Sequence, residues 1–467
     1  EEGSPPSRIE AFKLSAQAPI ADSTIHAPQT PLDFPTSAET WLLAPVAAPD
    51  FSLPNAAGQV ETLFAFRGKT VLLYFGSAAL PDCEKNLAEF EGVYRTWSDK
   101  GLQLVVLIVE ESAMASEGKP SKPSGNLSLP VLRASKDVVA IYNILCRSLF
   151  DRHRDLILPT SFLMDSRGNI VKVYQGAVPT QHFEEDFRKI PQTAADRLAK
   201  ALPFPGVIEN PEFKRKYISF GSIYFERGYM EQAQTFFQLA LQEDPSSAEA
   251  LYGIGSVYLQ QQKAQEARAC FERAVRLQPN YPGTLPKAWN NLGILSAREG
   301  RTDEAILDFQ RALQIDPDLL IALGNLGNAY RQAKRWKDAE DIFRRILDLN
   351  PEDPEANYGL GMVFAQRNDT DRAYEYLQKA LGARPAYPEA LNNLGVLYLR
   401  TQRRAEAERS FQESIRAAPA FDQPYLNLAR VYAIEGSTQK ARAVLLDLLK
   451  QHPGHAQAEK QLERLPQ

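Results

Sequence analysis

The stretch LLYFGSAALPDCEKNLAEF, from Leu72 to Phe90, places a thiol where redox chemistry can be done. An apolar run passes through small residues to a proline and a cysteine, and an amphipathic run follows. This pattern predicts a strand feeding a helix, with Cys83 on the first turn of that helix. A thiol at a helix N-terminus is activated, because the helix dipole and the unpaired N–H groups favour the thiolate. Dithiol exchange needs a second thiol, separated from the first by two residues. That earlier position holds Leu80, which can neither ionise nor form a mixed disulfide.

Other residue types offer less. Cys146 and Cys270 complete a set of three cysteines, too few for a disulfide framework. A Cys83–Cys146 bridge stays open as an alternative to two core thiols. His452 and His455, in QHPGH, are the only close histidine pair, and no cysteine accompanies them, so no metal site is expected. No cofactor is implied.

The chain of 467 residues is long enough for two or more domains, and its 44% hydrophobic and 24% charged content is ordinary for a soluble protein. A formal net charge of -5 gives no global basic field for nucleic acid. No window approaches the roughly 18 apolar residues of a membrane span. The first residue is Glu1, which reads as a processed or excised piece of a longer chain. Any targeting signal would then lie outside it.

Three regions follow in order. Residues 1–40, rich in Pro, Ser, Ala and Thr, read as a linker or arm. Residues 41–190 alternate β-like runs (TVLLYF, LQLVVLIV, SFLMD, NIVKVYQG) with helical patterns, which predicts an α/β domain. DSRGN between the last two runs predicts a hairpin, and SEGKPSKPSGNLS a polar surface loop. Residues 191–213 carry four prolines and read as a second linker.

From 214 to 455 the chain repeats itself. Prolines recur at Pro245, Pro279, Pro317, Pro351, Pro385, Pro419 and Pro453, spaced by 34 except for one spacing of 38, where PGTL is inserted. Small residues stand 24 before each: Gly221, Gly255, Gly293, Gly327, Gly361, Gly395 and Ala429. Alanine comes twelve later and a large apolar residue four beyond it, from Phe237 to Leu445. Two antiparallel helices pack closely only where one side chain is small, and proline cannot continue a helix. The period and signature resemble the tetratricopeptide repeat, a 34-residue helix–turn–helix. Seven repeats are expected, with residues 456–467 as a capping helix.

The first half resembles the redoxin branch of the thioredoxin fold, the alkyl hydroperoxide reductase/thiol-specific antioxidant (AhpC/TSA) proteins and extracytoplasmic thiol-disulfide oxidoreductases. The carrying residues are APDFSLPNAAGQVETLFAFRGKTVLLYFGSAALPDC and, later, LPTSFLMDSRGNIVKVYQG. The resemblance implies that Leu80 occupies the attacking-cysteine position, that Cys83 is the resolving cysteine, and that Pro159 is the cis proline facing the site. The two-thiol chemistry is therefore expected to be lost while the fold remains. Cys83 then reads as a small core residue, with a single-cysteine redox role as the alternative. Between Tyr142 and Pro159 the chain is about ten residues longer than the family pattern. The added part holds Asp151, Arg152, His153, Arg154 and Asp155, which reads as a solvated charged turn or a docking loop over the old site. The family implies an extracytoplasmic or periplasmic setting. The opening EEGSPPSRIEAFKL also resembles the exit from an ASPIC/UnbV domain of bacterial cartilage acidic protein-like proteins.

In the repeats, the position two before the small residue is expected to line the concave face. It is Asn291, Asn325, Asn393 and Asn427 in four repeats, and Ser219, Gly253 and Gly359 in the others. An amide carries both a donor and an acceptor, so it can hold a peptide backbone of any sequence. This resembles the asparagine ladder in the repeats of O-linked N-acetylglucosamine transferase. A helix-packing preference for asparagine is the competing explanation. Arg298, Arg331, Arg400 and Arg430 lie one to five residues beyond the small residue and would favour a carboxylate or acidic peptide. The sequence thus points to a non-enzymatic scaffold that binds a protein or peptide in the repeat groove. The alternative is a thiol oxidoreductase or peroxidase-like protein using Cys83 alone.

Overall fold

The computed structural model describes residues 38–55, 57–109, 130–149, 155–177, 179–201, 215–277 and 279–466. The polar stretch at 116–128, the charged residues 151–154 and most of the expected N-terminal arm lie outside them. By compactness the chain divides into two units. The described part of one runs to Pro245 and takes in Ser256–Gln261, and the other holds Ser246–Gly255 and the chain from Gln262 onward.

The first unit is built on a sheet of six strands, with a helix-bearing sequence between them. Its elements are β1 (Ala38–Ala47), β2 (Ser52–Pro54), β3 (Val60–Thr62), β4 (Thr70–Gly76), α1 (Pro81–Trp97), β5 (Leu102–Ile108), β6 (Val131–Arg133), α2 (Lys136–Leu149), β7 (Thr160–Met164), β8 (Asn169–Gln175), α3 (Thr180–Arg188), α4 (Ala194–Ala201), α5 (Tyr217–Glu226) and α6 (Met230–Glu243). The sheet order is β1-β8-β7-β4-β5-β6, with β2 and β3 a separate pair. β4, β5 and β6 run parallel, whereas β7, β8 and β1 join antiparallel. β4 and β5 are buried along nearly their whole length, as central strands covered on both faces must be. Tyr74, Phe90 and Phe183 pack on one side, and Phe75, Tyr142 and Phe162 meet on the other. The turn at 165–169 is closed by Asp165, whose Oδ1 accepts from the backbone N–H of Arg167 and Asn169, both at 2.9 Å. This is the hairpin that DSRGN signals.

Two features depart from the plain sequence reading. β1 begins at Ala38, inside the stretch read as an arm, and α4 occupies part of the stretch read as a linker. Both are fixed by long-range contacts that leave no local pattern. The register of β1 on β8 slips between Trp41 and Val46, which frees backbone carbonyls. Arg197 of α4 donates through Nε to the carbonyl of Leu43 at 3.2 Å, and Arg215 to that of Ala44 at 2.7 Å.

Helices fill the rest: α7 (Ala248–Gln260), α8 (Ala264–Ala274), α9 (Thr284–Arg298), α10 (Thr302–Ile315), α11 (Leu320–Gln332), α12 (Trp336–Leu349), α13 (Pro354–Gln366), α14 (Thr370–Ala383), α15 (Pro388–Arg400), α16 (Arg404–Ala417), α17 (Asp422–Ile434), α18 (Thr438–Gln451) and α19 (Ala456–Arg464). With α5 and α6 they make fifteen helices of a tetratricopeptide-like solenoid.

The crossing glycines act as expected. A Cβ on Gly221, Gly255, Gly293, Gly327 or Gly395 would lie 2.5–2.7 Å from the phenylalanine ring of its own repeat, a clash nothing can relieve cheaply. The five prolines from Pro317 to Pro453, and Pro245 before them, fall just after extended C-cap residues such as Asp316 and Asn350, where the residue before proline is driven. Pro279 is the exception. Beside the PGTL insertion, α8 has 11 residues where α6, α10, α12, α14, α16 and α18 each have 14.

Candidate functional site

The redox-shaped junction is built by β4, α1 and β7. β4 ends at Gly76, and the chain turns through Ser77, whose Oγ accepts from the N–H of Ala79 at 3.2 Å. Leu80 is then the N-cap of α1, extended at φ -102 and ψ 116, with Pro81 opening the helix. A leucine offers no side-chain acceptor, so no side chain caps α1. Pro159 follows a cis peptide bond from Leu158. Thr160 pairs with Phe75, so Pro159 lies at the sheet end where β4 hands over to α1. The fold therefore brings Leu80, Cys83 and Pro159 to one edge of the domain.

Cys83 faces inward from this junction. It is fully buried (0% exposed), and its backbone carbonyl accepts from the hydroxyl of Tyr74 at 3.2 Å. Burial pushes that Tyr74 hydroxyl far above its usual pKa, so it stays a neutral donor. Cys146 is equally buried on α2, and burial, aided by the charge of Asp155, pushes its thiol up to about 12. All three cysteines are free thiols, so Cys83 and Cys146 are not bridged. Of the charged insertion only Asp155 is described, paired with Arg147 at 3.4 Å.

The asparagines occupy equivalent places on α9, α11, α15 and α17, all half-buried. Three of them bond to the preceding repeat. Asn325 Nδ2 donates to Asn290 Oδ1, Asn427 Nδ2 to Asn392 Oδ1 and Asn393 Nδ2 to the hydroxyl of Tyr358, each at 2.9 Å. The acceptors, buried Asn290 and Asn392 and half-buried Tyr358, are partners that the sequence reading did not single out. Their signal was the doubled asparagine of Asn290–Asn291 and Asn392–Asn393: the first of each pair receives the bond from the repeat that follows. The ladder breaks at Gly359 for a steric reason, since a Cβ there would lie 2.5 Å from the ring of Phe343.

The arginines do not act alike. Arg298 and Arg430 are exposed. Arg331 is half-buried, donates to Asn328 Oδ1 at 3.4 Å, and has a buried Nε without a partner. Arg400 donates to Asn368 Oδ1 at 2.8 Å. Asn393 and Arg400 share a recess, a cavity of about 300 Å³ that Met362 and Asn368 also line.

At the C-terminal end, His452 Nδ1 and His455 Nε2 both approach Asp422, at 3.5 and 3.3 Å. His455 Nδ1 also accepts from the N–H of Ala458 at 3.2 Å, so the histidine caps α19. Among the described residues no group of three or more potential ligands is arranged for a metal, and no helix is long and apolar enough to cross a membrane.

Comparison with known proteins finds two kinds of region in the chain. The AhpC/TSA family model matches residues 46–173. A tetratricopeptide repeat model matches 364–420, and the model of the cilia and flagella-associated protein 70 C-terminal domain matches 192–390. The chain thus joins an AhpC/TSA-type, thioredoxin-like domain to an array of tetratricopeptide repeats. It is 26% identical over 144 residues to the thiol-disulfide oxidoreductase ResA of Bacillus thuringiensis subsp. konkukian, covering 31% of this chain and 76% of that protein. To the thioredoxin-like protein YneN of Bacillus subtilis it is 24% identical over 138 residues, 30% of this chain and 75% of that one. The crystal structure of the APC/C hetero-tetramer Cut9–Hcn1 overlaps 58% of this chain at 20% identity and a TM-score of 0.45, and the chain spans about half (51%) of that structure.

Proposed function

We propose that this protein is a non-enzymatic interaction scaffold, in which a redox-inactive thioredoxin-like domain is carried with a peptide-binding repeat array. One observation carries the reading: a leucine is the N-cap of α1, where an attacking thiolate would have to stand, and the remaining Cys83 is fully buried behind it. A sulfur with no exposure cannot meet a protein disulfide. The test is insulin reduction by dithiothreitol with and without the protein. No acceleration is expected, and acceleration that disappears in Cys83→Ser would overturn the reading.

The similarity to ResA favours a second reading, a single-cysteine thiol-disulfide protein using Cys83. It requires the start of α1 to open. Iodoacetamide labelling of the native chain separates the two. The scaffold reading expects Cys83 to stay unlabelled while the partly exposed Cys270 reacts.

For the array, the ligand we propose is an extended, partly acidic segment, held where Asn393 and Arg400 share one recess. In Asn325, Asn393 and Asn427 an amide N–H is engaged by the neighbouring repeat, so the amide oxygen is left to receive a peptide N–H. Each such bond contributes about 0.5–1.5 kcal/mol net, and a charge-assisted one from arginine about 1.5–3 kcal/mol, so several must act together. By analogy with the extracytoplasmic oxidoreductases its domain resembles, the setting we propose is extracytoplasmic.

A further inference from the structure

One recess in the first unit shares no lining residue with the Leu80–Cys83–Pro159 junction or with the Asn393–Arg400 recess. It is a cleft of about 620 Å³ between α2 of the thioredoxin-like domain and α5, the first helix of the first repeat. The two helices are tied at one side by Tyr224, whose hydroxyl donates to the backbone carbonyl of Ile141 at 3.0 Å. Beside that tie Ile144, Phe220 and Ile223 make an apolar floor. The ring of Phe220 is held in place by stacking on Phe236, with centroids 5.1 Å apart, so the floor is rigid. Asn143, which lines the cleft, accepts from the N–H of Leu156 at 2.7 Å through its Oδ1, and this fixes its amide.

The rim is cationic. Lys216 and Arg227 stand around the floor against Glu226, and Arg147 completes the rim with its charge paired to Asp155 at 3.4 Å. Lys216 and Arg227 are exposed and enter no ion pair among the described residues. An apolar floor under a cationic rim is the complement of a short segment with one large apolar side chain flanked by carboxylates: the side chain supplies buried area, and the flanking charges steer and orient it. Ser219, exposed in the same cleft, stands at the position that carries asparagine in later repeats.

We propose that this cleft is a composite docking site for an extended segment of another protein, apolar at its centre and acidic on either side. The thioredoxin-like domain then has a use that needs no thiol: its α2 is one wall of the site. This inference does not rest on the asparagine positions, which lie on other repeats.

The experiment is selection of a random dodecapeptide phage library on the full chain. The best peptide, labelled with fluorescein, is then measured by anisotropy. Selected peptides should carry Leu, Ile or Phe between Asp or Glu residues. Binding should fall at least about tenfold in Ser219→Trp, which fills the cleft from an exposed position, and in the exposed double variant Lys216→Glu/Arg227→Glu. It should weaken with added salt and be unchanged in Asn393→Ala/Arg400→Ala. Circular dichroism checks each variant, and the charge-reversal pair alone decides if the tryptophan variant does not fold. Failure to enrich such peptides, or binding that survives both cleft variants, overturns the proposal. Binding lost only in Asn393→Ala/Arg400→Ala also overturns it and leaves the asparagine reading standing. Self-association that is lost in Ser219→Trp would give the cleft to a second copy of the chain, and the proposal would likewise fall.

Discussion

The start of α1 and the crossing of α9 with α10 are both junctions that the sequence marks sharply, yet their residues answer to different demands. At the crossing, Gly293 and Phe309 are bound by volume: a Cβ on the glycine would lie 2.5 Å from the ring. At the start of α1, Leu80 stands where the family resemblance implies the attacking thiol, with strand, proline and helix around it. The backbone does not need a thiol there, because any residue with extended φ and ψ can precede Pro81. Packing constraints thus survive independently of chemistry. Under the scaffold reading proposed above, the fold keeps the frame of a reaction without its reacting atom.

The largest effect expected from breaking this contrast is at the crossing. Phe309→Ala removes a ring that is 1% exposed and should cost about 3–5 kcal/mol, read by urea denaturation. Gly293→Val, which overfills the same place, should cost about 1–3 kcal/mol or more. If either is tolerated within about 0.5 kcal/mol, the crossing is not under the steric constraint described.

At the other junction the expected effect is chemical and the structural one slight. Leu80→Cys should change stability by less than about 1 kcal/mol, since the leucine is only partly buried. The new thiol would sit at the helix N-terminus, with two residues between it and Cys83, where its thiolate is favoured. Mild oxidation should therefore remove two hydrogens from the chain, seen by intact mass, and the variant should accelerate insulin reduction. A variant that folds but never forms the bond would mean that Cys83 is packed too deeply for the old geometry to be recovered.

How much of this was legible depends on the range of the interaction. The 34-residue period, the crossing glycines and the Leu80–Cys83 spacing are local and could be read directly. The DSRGN hairpin was legible for the same reason. Distant partners were not. Nothing near Arg215 announces that it satisfies the carbonyl of Ala44, and nothing near Tyr224 announces that it reaches Ile141. These contacts place the first repeat in the same compact unit as the sheet. The asparagines show the limit most clearly: their spacing was visible, but their inter-repeat bonds depend on which residue lies 35 positions upstream. Asn325→Ala should accordingly cost about 0.5–1.5 kcal/mol of stability even without ligand, by loss of its bond to Asn290. An unchanged denaturation midpoint would return that asparagine to a purely ligand-facing role.

The smallest predicted effect concerns the turns inside the repeats, where the backbone is uniform but the residues are not. One residue per turn is left-handed: Gly228, Gly300 and Gly436 in three repeats, and Gln262, Lys334, Asn368 and Gln402, at φ 59 to 61, in the other four. A side chain in this conformation crowds its own carbonyl, and glycine does not. Glycine also raises the entropy of the unfolded chain, which offsets part of the gain. The opposing terms leave Lys334→Gly and Gln402→Gly stabilising by a few tenths up to about 1 kcal/mol each. Asn368→Gly should gain less, because asparagine tolerates the left-handed region and Asn368 Oδ1 accepts from Arg400. Urea midpoints of the three single variants test this order. If Asn368→Gly gains as much as Lys334→Gly, the bond to Arg400 contributes nothing, and the left-handed backbone alone sets the cost at these turns.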